Sequence, residues 1–168
     1  LNIGSRTLQF IPVPMLHWPD SMFTYCPEER ILFSNDAFGQ HFASVQRFDD
    51  QVDFNVLMYE AKKYYANILM LYDRQAKKAL EDVANLDIET IATGHGIIWR
   101  KHITEIIANY KKWSADETTE EAVIVYDSMW HSTETMAKTI TEAFVRRNIP
   151  AQLYDLKENH ISDIVTEI

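Results

Sequence analysis

The chain has 168 residues, enough for one large domain or for parts of two, with a substantial core. Its formal net charge of −9 argues against nucleic acid as a partner. The single cysteine, Cys26, excludes internal disulfides and cysteine-rich metal sites, and we expect it to be structural. No apolar run reaches the length of a membrane span, so we expect a cytoplasmic protein with no membrane partner.

Strands and helices alternate in the predicted first part of the chain. Residues 6–13 predict a strand that its prolines confine to a sheet edge or a strand end, and residues 31–33 predict a second strand. Residues 54–83 show helical periodicity, as one long helix or as two helices broken near Tyr72. A buried strand over residues 87–93 and a helix over residues 97–112 follow.

Three polar side chains in this part follow apolar segments: His17, Asp36 and His95. Metal and substrate sites concentrate in the loops beyond strand ends, and two imidazoles with one carboxylate suit iron or zinc. Glycines flank His95 and would let the backbone pass close to a metal. Structural roles remain open, since histidines are often hydrogen-bonded structural residues and aspartates often stabilise turns.

A second unit is predicted after residues 113–121, which are polar, acidic and typical of a linker. Residues 122–126 are apolar and predict a strand buried on both faces of a parallel sheet. A helix over residues 134–147, with Met136, Ala137 and Ile140 on one face, and a strand over residues 151–156 complete a βαβ unit.

The turn between the strand at 122–126 and this helix is rich in hydroxyl groups. Its candidate binding residues are Ser128, Met129, Trp130, His131, Ser132 and Thr133. A helix N-terminus offers unpaired N–H groups and a partial positive charge, so a bound phosphate is physically reasonable. Ser132 or Thr133 acting only as a helix cap is the alternative, and the local pattern leaves both open.

Four segments resemble the flavodiiron proteins. YDSMWHSTETMA is similar to the loop that holds the FMN phosphate in that family, and LHWPDSMFTY, ILFSNDAFGQH and ATGHG resemble successive segments of its metallo-β-lactamase-like domain. The resemblance implies an α/β chain. Residues 1–112 would be the C-terminal half of a metallo-β-lactamase-like αββα domain, and residues 122–168 the first βαβ unit of a flavodoxin-like doubly wound domain.

The resemblance also implies roles for single residues. His17 would bind one iron, His95 the other, and Asp36 would bridge both, while His41 would support the site or be structural. Trp18, Phe23 and Tyr25 would line the pocket or pack in the core. The family's H-x-E-x-D-H segment, which supplies further ligands, does not occur, so we expect this chain to be an internal part of a longer protein.

The activity implied is reduction of O2 to water or of NO to N2O at a di-iron centre. Electrons would come through FMN from a rubredoxin-type or related donor, and the protein would be a homodimer or homotetramer. Two alternatives are a zinc hydrolase of the metallo-β-lactamase fold and a flavodoxin-like electron carrier without catalysis.

Overall fold

The computed structural model describes residues 1–115 and 117–168. The chain divides into two compact units, Leu1–Glu117 and Thr118–Ile168. The predicted linker at residues 113–121 includes residue 116, which lies outside the described residues.

The first unit contains a four-stranded sheet. Its strands are β1 (Gln9–Pro12), β2 (Met22–Cys26), β3 (Ile31–Asn35) and β4 (Thr90–Thr93), in the order β1-β2-β3-β4. The first three strands are antiparallel, whereas β3 and β4 are parallel neighbours. Two of these strands are shorter than predicted: β1 begins at Gln9 and β4 at Thr90.

Three helices accompany this sheet: α1 (Phe54–Tyr64), α2 (Asp73–Val83) and α3 (Ile103–Trp113). A π-helical turn (Tyr65–Leu69) and a 3-10 turn (Met70–Tyr72) separate α1 from α2, so residues 54–83 form two helices. The helix predicted over residues 97–112 is present, but its predicted start was wrong. Trp99 pairs its backbone with Ile91 of β4 in an antiparallel bridge, and α3 begins only at Ile103.

Alternation along the strands separates a buried face of the sheet from an exposed one. Phe23, Leu32 and Ile91 are at most 1% exposed and belong to the core with the apolar residues of the helices. On the opposite face, Phe10 and Phe33 remain 48% and 46% exposed. Cys26 is buried, with its thiol donating to Glu28 Oε2 at 3.6 Å, as a structural cysteine would.

The second unit is a βαβ unit followed by a short helix. It consists of β5 (Ala122–Tyr126), α4 (Ser132–Val145), β6 (Ala151–Asp155) and α5 (Ile161–Ile164), and the two strands are parallel. The prediction that β5 is buried on both faces was wrong, since most of the strand is half-buried and Val125 is exposed. In α4 only Ala137 is buried, whereas Met136 and Ile140 are exposed.

None of the helices in the described residues has the length and apolar character needed to cross a bilayer.

Candidate metal centre and flavin-binding loop

The sheet topology brings three of the predicted site residues to one edge. β3 and β4 run parallel and pair Asn35 with Thr93, so Asp36 and His95 follow at neighbouring strand ends. β2 runs antiparallel to β3 and begins where β3 ends, so the turn before β2, which carries His17, reaches the same edge.

The Asp36 carboxylate lies between the two imidazoles. His17 Nε2 is 3.4 Å from Asp36 Oδ2, and His95 Nε2 is 3.1 Å from Asp36 Oδ1. The Asp36 side chain is only 12% exposed, against 25% for His17 and 50% for His95. Each carboxylate oxygen therefore faces a different imidazole.

This arrangement does not gather three ligands around one point. In the described part of the chain, no group of three His, Cys, Asp or Glu side chains is placed to hold one metal ion. The geometry instead offers two positions, each with one imidazole and one oxygen of a shared carboxylate. Nitrogen and carboxylate donors of this kind suit iron or zinc, so the residues present fit part of a two-metal site.

Glycines let the two loops of the site approach each other. A Cβ on Gly94 would lie 3.0 Å from the Asn35 carbonyl oxygen, and a Cβ on Gly39 would lie 2.9 Å from the Asp36 carbonyl oxygen. The nearest atoms are backbone atoms, but His95 Cβ would lie 3.5 Å from the Cβ on Gly39 and Asp36 Oδ1 3.6 Å from the Cβ on Gly94. Gly94 and Gly39 thus let their backbone lie close to that of Asn35 and Asp36.

Aromatic side chains lie beside His17 and beside His95. The centroid of the Tyr64 ring lies 4.8 Å from that of the His41 ring and 6.0 Å from that of the His95 ring. Burial and the charge of Asp36 both raise the pKa of Tyr64, so its phenol stays protonated at neutral pH. On the other side, the rings of Trp18 and Tyr72 lie 5.8 Å and 6.3 Å from His17.

Two of the predicted pocket residues lie elsewhere. Phe23 is buried in the core and packs against Phe38, with ring centroids 6.5 Å apart. The Tyr25 hydroxyl donates to the Asp87 carbonyl at 2.6 Å, at the opposite end of the strands. The alternative that they pack in the core therefore holds for both, because aromatic residues in β2 point to the helix-covered face.

Sequence reasoning missed Tyr64 and Tyr72. Both residues belong to the helical pattern of residues 54–83, which indicated only a layer packed on the sheet. The π-helical turn begins directly after Tyr64, and the 3-10 turn ends at Tyr72. Interruptions of this kind often occur at functional sites. The helix break near Tyr72, one of two interpretations of the sequence, was the one available sign that this segment lies beside a site.

The predicted flavin-binding residues form the turn between β5 and α4. Met129 and Trp130 are 78% and 82% exposed. The capping position of α4 is His131, in a left-handed conformation (φ 63°) and without a capping hydrogen bond from its own side chain to the described helix. Ser132 and Thr133 already belong to the helix, so the alternative that one of them is the helix cap was wrong.

Charged side chains surround this turn. Glu134 accepts from Lys138 and pairs with His131, whose Nδ1 lies 2.6 Å from Glu134 Oε2. The hydrogen bond from Lys138, followed by that from His131, lowers the pKa of Glu134 to about 2. Lys157, which follows β6, donates to the Ser128 carbonyl and thereby links the loops that follow the two parallel strands.

Known proteins are similar to this chain in sequence and in fold. The family model described as "ODP family beta lactamase" matches residues 1–96. A nitric oxide reductase of Moorella thermoacetica is 49% identical over 170 residues, covering 100% of this chain and 43% of that protein. The flavodiiron protein of Giardia intestinalis superposes with a TM-score of 0.91 at 41% identity, over 99% of this chain and 41% of the other. The chain belongs to the flavodiiron proteins.

Another member of the flavodiiron family has the same architecture. The rubredoxin oxygen:oxidoreductase of Desulfovibrio gigas superposes with a TM-score of 0.93 at 40% identity, over 100% of this chain and 43% of that one. The family and the fold class inferred from the four sequence segments are thus confirmed. The chain spans about 40% of the length of the curated relatives it matches.

Proposed function

We propose that the protein carrying this chain reduces O2 to water, NO to N2O, or both, at a non-haem di-iron centre supplied with electrons by FMN. The observation that carries the proposal is the Asp36 carboxylate, which presents one oxygen to His17 and the other to His95. The names of the relatives, a nitric oxide reductase and a rubredoxin oxygen:oxidoreductase, support the two substrates.

In this proposal Asp36, His17 and His95 would hold two irons, with one histidine for each iron and the Asp36 carboxylate serving both. The shared carboxylate would partly neutralise both cations, and the pair would supply the binding and reduction of a diatomic molecule. When bound, the irons and FMN supply the redox chemistry, and the protein supplies position and surroundings.

The chain's other residues control access and protons. The Trp18 and Tyr72 rings beside His17 would limit the entry of water. Tyr64, whose pKa is raised, keeps its proton and can donate a hydrogen bond to a bound diatomic.

We assign FMN phosphate binding to Ser128, Met129, Trp130, His131, Ser132 and Thr133. The uncapped start of α4 leaves first-turn N–H groups and a partial positive charge for an anion, and two hydroxyl groups stand in that turn. We further propose a rubredoxin-type or related electron donor, a homodimer or homotetramer, and a cytoplasmic location.

Replacing Asp36 by alanine tests this function. We expect the natively purified variant to lose iron and O2 or NO consumption while it keeps its FMN, because the flavin-binding turn lies in the other unit. An electron carrier without catalysis predicts unchanged turnover in this variant. A hydrolase of the same fold predicts zinc without flavin in the wild type.

A further inference from the structure

Gln40 connects the two loops of the candidate metal centre. Its side chain is completely buried, at 0% exposure. Its backbone N–H donates to the His95 carbonyl at 3.2 Å. Its side-chain Oε1 accepts from the Ile97 N–H at 2.6 Å, and its Nε2 donates to the carbonyls of Phe38 and Ile97 at 2.9 and 3.3 Å. Gln40 therefore holds the neighbouring loop at two points, His95 and Ile97.

The hydrogen bonds of the Gln40 side chain require a glutamine at position 40 and a glycine at position 96. A carboxylate or an apolar side chain of the same length could not donate to two carbonyls and also accept from an N–H. A Cβ on Gly96 would lie 2.2 Å from Gln40 Oε1, and Gly96 has a φ of +82°. Gly96 is thus the residue that admits the Gln40 amide.

The loop that carries Gln40 is itself anchored in the core. The Phe38 carbonyl also accepts from Trp99 Nε1 at 2.8 Å, and the Phe38 N–H donates to the Tyr110 hydroxyl at 2.7 Å. Trp99 and Tyr110 are at most 1% exposed. These bonds are all made between protein groups, so they fix the loop without help from a ligand.

The His17 turn is held by different contacts. The Trp18 N–H donates to Ser21 Oγ at 3.2 Å, and the Met15 N–H donates to the Trp18 carbonyl at 2.7 Å. The two imidazoles that face Asp36 are therefore positioned by separate sets of hydrogen bonds.

We propose that Gln40 is a positioning residue for His95, which it holds against Asp36 before any metal binds, and that it acts on only one of the two metal positions. This inference rests on the proposed function. Residues that orient a metal ligand without touching the metal change metal affinity about 10- to 100-fold when they are replaced.

The experiment compares metal release from the purified wild type and the Gln40→Met variant, both loaded with Fe(II) and exposed to a chelator. We expect one metal of each pair to leave the variant about 10- to 100-fold faster and the other to leave at the wild-type rate. Equal acceleration of both metals, or of neither, would overturn the positioning role. A wild type that binds no iron would overturn the di-iron proposal itself, and the role of Gln40 with it.

Tyr25→Phe is the matched control. It removes another buried hydrogen bond, from the Tyr25 hydroxyl to the Asp87 carbonyl, at the far end of the same strands. A general loss of stability would appear in this variant as well, whereas we expect its release of both metals to match that of the wild type.

Amide hydrogen exchange in the metal-free wild type provides a test that needs no variant to fold. The Ile97 N–H is bonded to a fully buried amide, so we expect slow exchange with or without metal. Exchange of Ile97 at an unprotected rate in the metal-free wild type would show that the loop is not preformed, and would overturn the inference.

Discussion

Asp36 is the least exposed of the three candidate ligands, and its two carboxylate oxygens face two imidazoles. A buried carboxylate needs compensating charge or hydrogen bonds. In the proposed holoprotein two cations would provide that compensation. Replacing Asp36 therefore removes a ligand from both metal positions, whereas replacing either histidine removes a ligand from one.

Tyr64→Phe removes a hydroxyl while keeping the ring that packs against His41 and His95. Because burial and Asp36 raise the pKa of Tyr64, the phenol is a proton-bearing group at neutral pH. We expect turnover with O2 or NO to fall about tenfold, the effect of losing one useful hydrogen bond of about 1.4 kcal/mol. Iron content should stay at the wild-type level. Unchanged turnover would exclude a role for this hydroxyl in the reaction.

Glu134 gives a pH-dependent prediction. Its folded-state pKa of about 2 lies below the ordinary value of 4.5, chiefly because Lys138 donates to it. The ionised carboxylate therefore stabilises the fold fully above about pH 4.5, and this contribution is lost as the pH falls towards 2. We expect the carboxyl carbon of Glu134 to titrate near pH 2 by NMR, and nearer to 4.5 in a Lys138→Met variant. A wild-type midpoint at the ordinary value would show that the Lys138 contact does not persist in solution.

At the scale of single elements, the start of α3 depends on a distant aspartate. Asp49 is 1% exposed, and its carboxylate accepts from the backbone N–H groups of Arg100, Lys101 and His102. Asp49→Ala leaves these donors without their acceptor. We expect a loss of about 2 kcal/mol in the free energy of unfolding, measured with urea.

Asp50→Ala is the control for that experiment. Asp50 forms a two-oxygen contact with the Arg100 guanidinium on a more exposed part of the surface. Ion pairs of this kind contribute about 0–1 kcal/mol. Equal losses in the two variants would contradict the special role of Asp49.

The start of α4 carries the flavin prediction. If Ser132 and Thr133 donate to the phosphate of FMN, each alanine substitution should weaken FMN binding by about 1 kcal/mol or more, the scale of a charge-assisted hydrogen bond. The FMN affinity is measured from flavin fluorescence while the flavin-free protein is titrated with FMN. Ser162→Ala, in the short α5 of the same unit, is a suitable control. Wild-type affinity in the double variant Ser132→Ala and Thr133→Ala would remove these hydroxyls from the site.

Sequence patterns located the apolar strands better than the contacts between elements. Asp36 and His95 could be found because each follows an apolar strand, and parallel neighbouring strands end at the same edge. Gln40 and Tyr64 could not be found in this way, because their roles depend on partners 57 and 31 positions away. The start of α3 was predicted too early for the same reason, since long-range pairing with Ile91 and Gln40 decides the segment before it.

At the scale of the whole molecule, the two kinds of candidate site lie on different units. His17, Asp36 and His95 belong to Leu1–Glu117, and the flavin-binding turn belongs to Thr118–Ile168. The chain spans about 40% of the length of its curated relatives, so the reductase activity is proposed for the protein that carries it. Oxygen and nitric oxide both remain substrates of that proposal.

The most direct test is the iron and FMN content of the natively purified protein that carries this chain. The proposed function predicts about two irons and about one FMN per chain, with the iron lost in Asp36→Ala and the FMN retained. Zinc without flavin would instead indicate a hydrolase of the same fold. A protein with neither iron nor FMN would contradict the di-iron reductase altogether.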